Sequence, residues 1–252
     1  MSLQCVVPVS GGKDSQACLK MALETFDKSE VIGLFCNTNF EHPLTYAHVE
    51  KMRGLYGVHI EEVSDGDVET RCLRYGRFPN GVARFCTDDL KIKPSKRFYE
   101  NLAARQGGFQ VWYGMRTAES ADRGKRYADF NDFDLYPPHV VLPKKYPQFL
   151  ADFGVMFRLP IVDWSVREVV EFVGIENLHP LYEINPVTYL PTLFDRIGCF
   201  PCLAAGDGYK IKAFEHDDTG RDHWQKVQFI QQRIGKSVFT NEKNTICPIC
   251  EI

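Results

Sequence analysis

Apolar and polar positions fall into blocks that switch between a strand period and a helix period along the chain. Residues 4–9 form a short Val-rich run of strand character, and residues 15–26 have helical spacing through Ala17, Leu19, Met21, Ala22 and Leu23. A second apolar run, residues 31–36, ends in the polar triplet Asn37-Thr38-Asn39; residues 46–56 then read as a helix and 58–63 as a third strand. The Gly-, Arg- and Pro-containing stretch 75–84 is expected as a loop, 90–105 as a helix, and 108–113 as a strand ending at Gly114. Strands and helices in alternation predict an α/β fold with a doubly wound, mostly parallel sheet, whose ligand sites lie at the carboxyl ends of the strands.

Residues 130–156 break this rhythm. They are aromatic and Pro-rich (Tyr136-Pro137-Pro138, Leu142-Pro143, Tyr146-Pro147), which predicts a long irregular insertion and a candidate lid. Beyond it, Ser165 with Glu168 three residues on forms a capping box ahead of an amphipathic helix. After Pro180 the pattern changes again, and four of the nine cysteines fall in this last part. The expected organisation is a nucleotide-binding α/β domain over residues 1–180 and a small cysteine-rich, metal-binding region over 181–252.

Length and charge narrow the picture. A chain of 252 residues buries a sizeable core without disulfides. A net charge of −3 and a pI near 6.2 argue against a basic nucleic-acid coat and leave room only for a local basic patch. No signal-peptide pattern opens the chain and no apolar run approaches membrane-spanning length, so a cytoplasmic protein without a membrane partner is expected. In such a compartment nine cysteines are buried thiols, metal ligands or catalytic groups rather than disulfides.

Between the first strand and the first helix stands Ser10-Gly11-Gly12-Lys13-Asp14-Ser15. Glycines at this point let backbone N–H groups converge on an anion, the helix N-terminus adds a favourable dipole, and Lys13 and the serines add donors. An ordinary Gly-Gly turn is the bland alternative. Neither the common nucleoside-triphosphate loop nor the dinucleotide fingerprint is present. The cysteines give the second signal: Cys199-Phe200-Pro201-Cys202 and Cys247-Pro248-Ile249-Cys250 are two C-x-x-C pairs separated by 44 residues. Two such pairs supply four thiolates to one metal, and zinc and iron-sulfur both fit. Cys5, Cys18 and Cys36 lie within strand or helix patterns and are expected in the core, and no histidine pair has ligand spacing.

The hexapeptide Ser10–Ser15 resembles the pyrophosphate loop of the N-type ATP pyrophosphatases, which cleave ATP between the α and β phosphates. Further segments resemble the phosphoadenylylsulfate reductase-like branch: Cys36-Asn37-Thr38-Asn39-Phe40-Glu41-His42-Pro43, Cys86 with Lys91 and Pro94, Gly114-Met115-Arg116-Thr117-Ala118-Glu119-Ser120 with Arg123, and Gly198-Cys199 with Cys202. The likeness runs from about Cys5 to Cys202 in family order, with Asn37 and Asn39 where the family often has Asp and Gly. It implies that Asn37 and Thr38 meet the adenine or ribose, that Gly114 belongs to the nucleotide site, and that Lys13, Arg116 and Arg123 neutralise phosphate or sulfate oxygens with Glu119 orienting an arginine. Lys91 and Lys93 are weaker phosphate candidates. Some relatives hold an iron-sulfur cluster through the motif at Cys86 and the G-C-x-x-C; they carry adjacent cysteines where this chain has Phe85-Cys86. The resemblance therefore implies a [4Fe-4S] cluster on Cys86, Cys199, Cys202 and one of Cys247 and Cys250, the alternative being Zn2+ on the two pairs.

The expected activity is cleavage at the α-phosphate of ATP or a related adenine nucleotide, with Mg2+, to activate an acceptor for sulfur transfer. A nucleic acid is a candidate acceptor, as in the DNA-phosphorothioation sulfurtransferases that keep such a loop, and a cysteine desulfurase or thioredoxin is a candidate sulfur-donor protein. Two alternatives stand beside it: a sulfonucleotide reductase releasing sulfite, although the reductases' terminal Glu-Cys-Gly-Leu-His motif is absent, and a nucleotide-binding module of a larger assembly. A homo-oligomer is also expected.

Overall fold

In the computed structural model, which describes residues 2–241, the first Val-rich run forms β1 (Cys5–Val9), and the chain turns through Ser10-Gly11-Gly12 into α1 (Lys13–Thr25). β2 (Val31–Asn37), α2 (Pro43–Tyr56) and β3 (Ile60–Ser64) follow in the expected order. α3 (Val68–Tyr75) and α4 (Lys93–Gln106) precede β4 (Phe109–Trp112), and β5 (Val155–Arg158) leads to α5 (Val166–Val173). The five strands form one sheet of order β3-β2-β1-β4-β5. β1 runs parallel to β2, with Cys5 opposite Val31 and Val9 opposite Phe35, and parallel to β4; β4 runs parallel to β5. The fold is thus the doubly wound α/β sheet that the alternation predicts. β1 and β2 read as continuous apolar runs because both faces of a parallel sheet are covered by helices. Strand order reverses at β1, and in such sheets the loop leaving that strand borders the ligand crevice.

The described chain divides into two compact units. The first takes the described parts of Met1–Cys36, Leu44–Val63 and Pro94–Ile197. Its core packs Val7 and Val9 of β1 with Leu19 of α1, Val49 and Met52 of α2, and Val169 and Val170 of α5. α5 begins on the predicted capping box, with the Ser165 hydroxyl accepting from the Glu168 N–H and the Glu168 carboxylate accepting from the Ser165 N–H. Residues 130–156 are more ordered than the sequence predicts. Tyr136 bridges to Phe157, one-turn helices occupy Pro138–Val141 and Phe149–Asp152, and β5 begins at Val155. Val141, Tyr146 and Leu150 are buried, and the Tyr146 hydroxyl lies 2.7 Å from that of Tyr113. Aromatic rings without a period, which read as irregular in sequence, here fill the core beside β5.

The second unit takes Asn37–Pro43, Ser64–Lys93 and the described part of Gly198–Ile252. It contains α3, α6 (Asp207–His216) and α7 (Asp218–Ile234) around a core of Phe40, Cys72, Phe78, Phe85, Phe214, Trp224, Val227 and Ile230. α3 was not expected, yet it is capped by the Asp67 carboxylate, which accepts from the Thr70 N–H, and closed by Gly76 in the left-handed region. The helix expected from residue 90 becomes regular at Lys93, after a π-helical turn over Asp88–Ile92. Asp89 in that turn is buried and pairs with Lys93 and the Tyr75 hydroxyl. Among the described residues no helix is long and apolar enough to cross a membrane.

Candidate functional site

The loop after β1 is shaped by two close approaches. Gly11 has φ +76°, and a Cβ there would lie 2.9 Å from Thr45 Cγ2, so this position takes glycine for both its backbone angle and its space. Gly12 is extended and caps α1, leaving the first-turn N–H groups of the helix at the loop. The Ser15 hydroxyl accepts from the Ser10 N–H at 3.2 Å and donates to the Gly12 carbonyl at 2.8 Å, which closes the loop on itself. The Lys13 N–H donates to the Tyr182 hydroxyl at 2.9 Å. At the end of β4, a Cβ on Gly114 would stand 2.7 Å from the Asp14 carbonyl carbon and oxygen. Only glycine lets that strand end approach the loop so closely.

Ser10, Gly12, Lys13, Asp14, Ser15, Gly114, Arg116, Glu119 and Arg123 line one cavity of about 420 Å³ in the first unit. Gly11 sits in the same loop. Asp14 takes two cations: Lys13 Nζ at 3.0 Å and the Arg116 guanidinium, whose Nη1 also donates to the Trp164 carbonyl at 3.3 Å. Lys13 and Arg116 are almost wholly buried, at 4% and 2% side-chain exposure, so each cation is held in place at low local dielectric. Arg116 leaves β4 through Gly114-Met115, the strand-end position that its motif predicts. Glu119 pairs with Arg123 one helical turn on, and also with Arg196. Tyr182, Asp195 and Arg196 line this cavity too, and sequence reasoning did not find them. Arg196 stands three residues before Cys199 and reads there as a spacer of the cysteine motif; Tyr182 carries no local signal at all.

Asn37 and Thr38 are engaged in the second unit. The Asn37 Oδ1 accepts from the Asn39 N–H at 2.8 Å. Thr38 donates its hydroxyl to Glu41 Oε1 at 2.7 Å and lies 3.2 Å from Cys199 Sγ, while Glu41 Oε2 accepts from the Thr38 and Phe40 N–H groups, both at 3.2 Å. Glu41 and Cys199 are paired across an isolated β-bridge. The Asn37-to-His42 segment thus meets the G-C-x-x-C motif. Burial pushes the Cys199 thiol up to about 12, against the pull of the Lys91 ammonium. Burial, with Cys202 next, also raises the Cys86 thiol. Lys91 is held above the usual lysine range first by Cys199 and, against the cost of burial, by Glu41, Cys202 and Cys86. It faces thiols, where the sequence offered it as a weak phosphate candidate.

Three thiols and an ammonium in mutual electrostatic reach are chemically suited to a thiophilic metal, since soft thiolates are the ligands of zinc and iron-sulfur centres. Among the described residues, however, no three His, Cys, Asp or Glu side chains converge as a complete metal-binding set. Cys247 and Cys250, the expected remaining ligands, lie outside the described residues. Cys5 and Cys18 are buried in the core as expected and burial raises both thiols, whereas Cys36, also expected there, is only half-buried. Cys72, which has no sequence context, is buried and pushed up to about 12 by desolvation.

A parallel sheet with an anion-shaped loop at its reversal point is the architecture of the adenine nucleotide alpha hydrolase-like, or PP-loop, fold. Within that class the chain belongs to the phosphoadenosine phosphosulfate reductase domain family, whose sequence pattern matches residues 4–205. A protein of undetermined role from Methanocaldococcus jannaschii is 28% identical over 211 residues, covering 82% of this chain and 38% of the relative. A phosphoadenosine 5'-phosphosulfate reductase from Photorhabdus laumondii is 25% identical over 186 residues, covering 71% of this chain and 65% of that protein. The chain therefore spans less than two thirds of the length of these curated relatives. Among solved structures, a phosphoadenylyl-sulfate reductase from Candida auris in a phosphate complex has TM-score 0.43 at 17% identity, covering 69% of this chain and 73% of that one. The U34-tRNA thiolase of Methanococcus maripaludis, with its [4Fe-4S] cluster, has TM-score 0.41 at 13% identity, covering 98% and 76%.

Proposed function

We propose that this chain binds ATP or a related adenine nucleotide in the cavity at the β1 loop and cleaves it at the α-phosphate, activating an acceptor for sulfur transfer. The observation that carries this reading is the loop itself. Gly12, buried Lys13 and buried Arg116 line a single cavity, and Gly11 sits in the same loop in the left-handed region. In the proposed step an oxygen of the acceptor attacks the α-phosphorus, the bond to the bridging oxygen breaks, and pyrophosphate leaves with that electron pair. Catalysis of this kind is mostly positioning and charge neutralisation, which fixed cations and N–H dipoles supply. Mg2+ would arrive with the polyphosphate and offset its charge, and Asp195, which lines the cavity, would be a candidate carboxylate to hold it. A [4Fe-4S] cluster would be held by Cys86, Cys199 and Cys202 with Cys247 or Cys250, and zinc, the alternative, by the pairs Cys199–Cys202 and Cys247–Cys250; either would serve as a sulfur-handling or structural centre.

A second reading is reduction of a sulfonucleotide to sulfite, favoured by the family and by the Photorhabdus relative. That reaction needs an activated thiolate. Cys5, Cys18, Cys72, Cys86 and Cys199 all have thiols raised by burial, the opposite of activation. Incubation of the full chain with ATP, with and without tRNA, DNA or small acceptors, is expected to release pyrophosphate with AMP or an adenylated acceptor. Sulfite from phosphoadenylylsulfate plus a dithiol, with no pyrophosphate from ATP, reverses the order of the two readings. Nucleotide binding without either product leaves a non-catalytic module.

A further inference from the structure

Lys13 is held at two points by one side chain distant in sequence. Its backbone N–H donates to the Tyr182 hydroxyl at 2.9 Å, and its ammonium lies 5.3 Å from the centre of the Tyr182 ring. A cation at that distance over an aromatic face is attracted to it, and more strongly where water is excluded. Both partners are buried: the Lys13 side chain is 4% exposed and Tyr182 is 1% exposed. The hydroxyl also borders the loop itself, since a Cβ on Gly12 would stand 3.3 Å from it.

Tyr182 is in turn fixed by backbone. It ends the short helical turn Pro180–Tyr182, its N–H donates to the His179 carbonyl at 3.1 Å, and its carbonyl accepts from the Thr192 and Leu193 N–H groups at 3.1 and 3.3 Å. His179 anchors the start of that turn. Its Nδ1 accepts from the Leu181 N–H at 3.1 Å, so its Nε2 carries the proton and donates to Thr45 Oγ1 at 3.2 Å. Thr45 is the residue whose Cγ2 leaves no room for a Cβ on Gly11. The segment therefore braces the β1 loop at Gly11, through Thr45, and at Gly12 and Lys13, through Tyr182.

A lysine on its long flexible stem loses much rotamer freedom when it grips an anion, and one pinned beforehand loses less. Asp14 and the Asp195 carbonyl hold the ammonium at 3.0 and 3.4 Å, and Tyr182 ties that ammonium to the start of α1. We infer that Tyr182 is a positioning residue for Lys13: its hydroxyl sets the first N–H of α1 and its ring sets the ammonium, so that loop and cation meet a ligand as one rigid unit. This rests on the proposed nucleotide site and deepens it, by assigning the preorganisation of Lys13 to a residue 169 positions further along the chain.

Calorimetry with ATP and amide NMR on the isotope-labelled full chain test it, using Tyr182→Phe and Tyr182→Leu, each alone and combined with Lys13→Ala. Tyr182→Phe keeps the ring. It is expected to fold as wild type does, to move the Lys13 amide resonance and to bind ATP about 3- to 10-fold more weakly. Tyr182→Leu removes the ring as well and is expected to lose about a further 3- to 10-fold. In the Lys13→Ala background the difference between the two Tyr182 variants is expected to vanish, because the ring no longer has its cation. An unmoved Lys13 amide in Tyr182→Phe, or an ATP affinity equal to that of wild type, overturns the inference. So does a difference between the two variants that persists in full without the lysine, which is what a purely structural ring gives. A wild type that binds ATP with this order of variants but releases no pyrophosphate sinks the proposed reaction and leaves the role of Tyr182 standing; a wild type that binds no ATP sinks both.

Discussion

The β1-loop cavity of the first unit and the thiol region of the second handle ionisable groups in opposite ways. In the cavity every cation has a carboxylate partner, and the buried pair Lys13 and Arg116 share Asp14, so charge is maintained inside the protein by pairing. In the thiol region burial raises Cys86 and Cys199, and the Lys91 ammonium pulls against that rise. The first site is assembled from residues of the first unit alone. On the proposed reading, a metal would load the second by displacing protons from its sulfurs. The difference lies in how ionisable groups are kept inside the protein: the cavity pairs each cation with a carboxylate, whereas the thiols are raised by burial beside an ammonium.

Substitutions can break or sharpen that contrast. The largest effect is expected from Cys199→Ser: iron or zinc measured on anaerobically purified protein falls to near zero, while ATP affinity stays within about twofold, since no thiol among the described residues lines the cavity. Equal loss of ATP affinity would erase the distinction between the sites. Lys13→Ala is the reciprocal change, and pyrophosphate release is expected to fall about 100- to 1000-fold with metal content unchanged, the size typical of losing one preorganised donor.

The pH dependence of stability comes next. His48 in α2 is buried, hydrogen-bonds to Gln16 Oε1 at 3.0 Å, and has its pKa lowered to about 4 by desolvation, with Lys51 adding to the shift. The unfolded chain binds this proton more readily than the native one, so stability is full above about pH 6.5 and declines as pH falls towards 4. The contribution is on the order of 3 kcal/mol, and urea titrations of His48→Asn across that window should show a flatter profile than wild type. Last, Gly114→Ala forces a methyl against the Asp14 backbone. It is expected to cost about 1–3 kcal/mol by chemical unfolding and to weaken nucleotide binding, with metal content unaffected.

Much of this architecture is legible in the chain because local pattern and fold agree. β1, the loop, α1, β2 and the capping box at Ser165 announce themselves by period and by glycine or serine at defined offsets. α3 stayed hidden because its eight residues are too short for a clear period, although Asp67 and Gly76 mark both its ends. β5 was lost in an aromatic stretch whose burial depends on Tyr99 and Tyr113, residues distant in sequence. The same reason conceals Tyr182 and Arg196, which reach the cavity by tertiary placement alone. The contacts of the Thr38 hydroxyl with Glu41 and Cys199 are likewise set by folding and carry no local signal.

The second unit is stitched from three stretches of chain that interleave with those of the first. No single proteolytic cut can release it, and no contiguous fragment encodes it, so Cys86 joins Cys199 and Cys202 only after more than a hundred intervening residues have been synthesised. Closing so long a loop has an entropic cost that local contacts cannot offset. A truncated product ending before Gly198 would keep the described phosphate loop and arginines yet lack two of the three sulfurs, which makes premature termination a chemical event as well as a structural one.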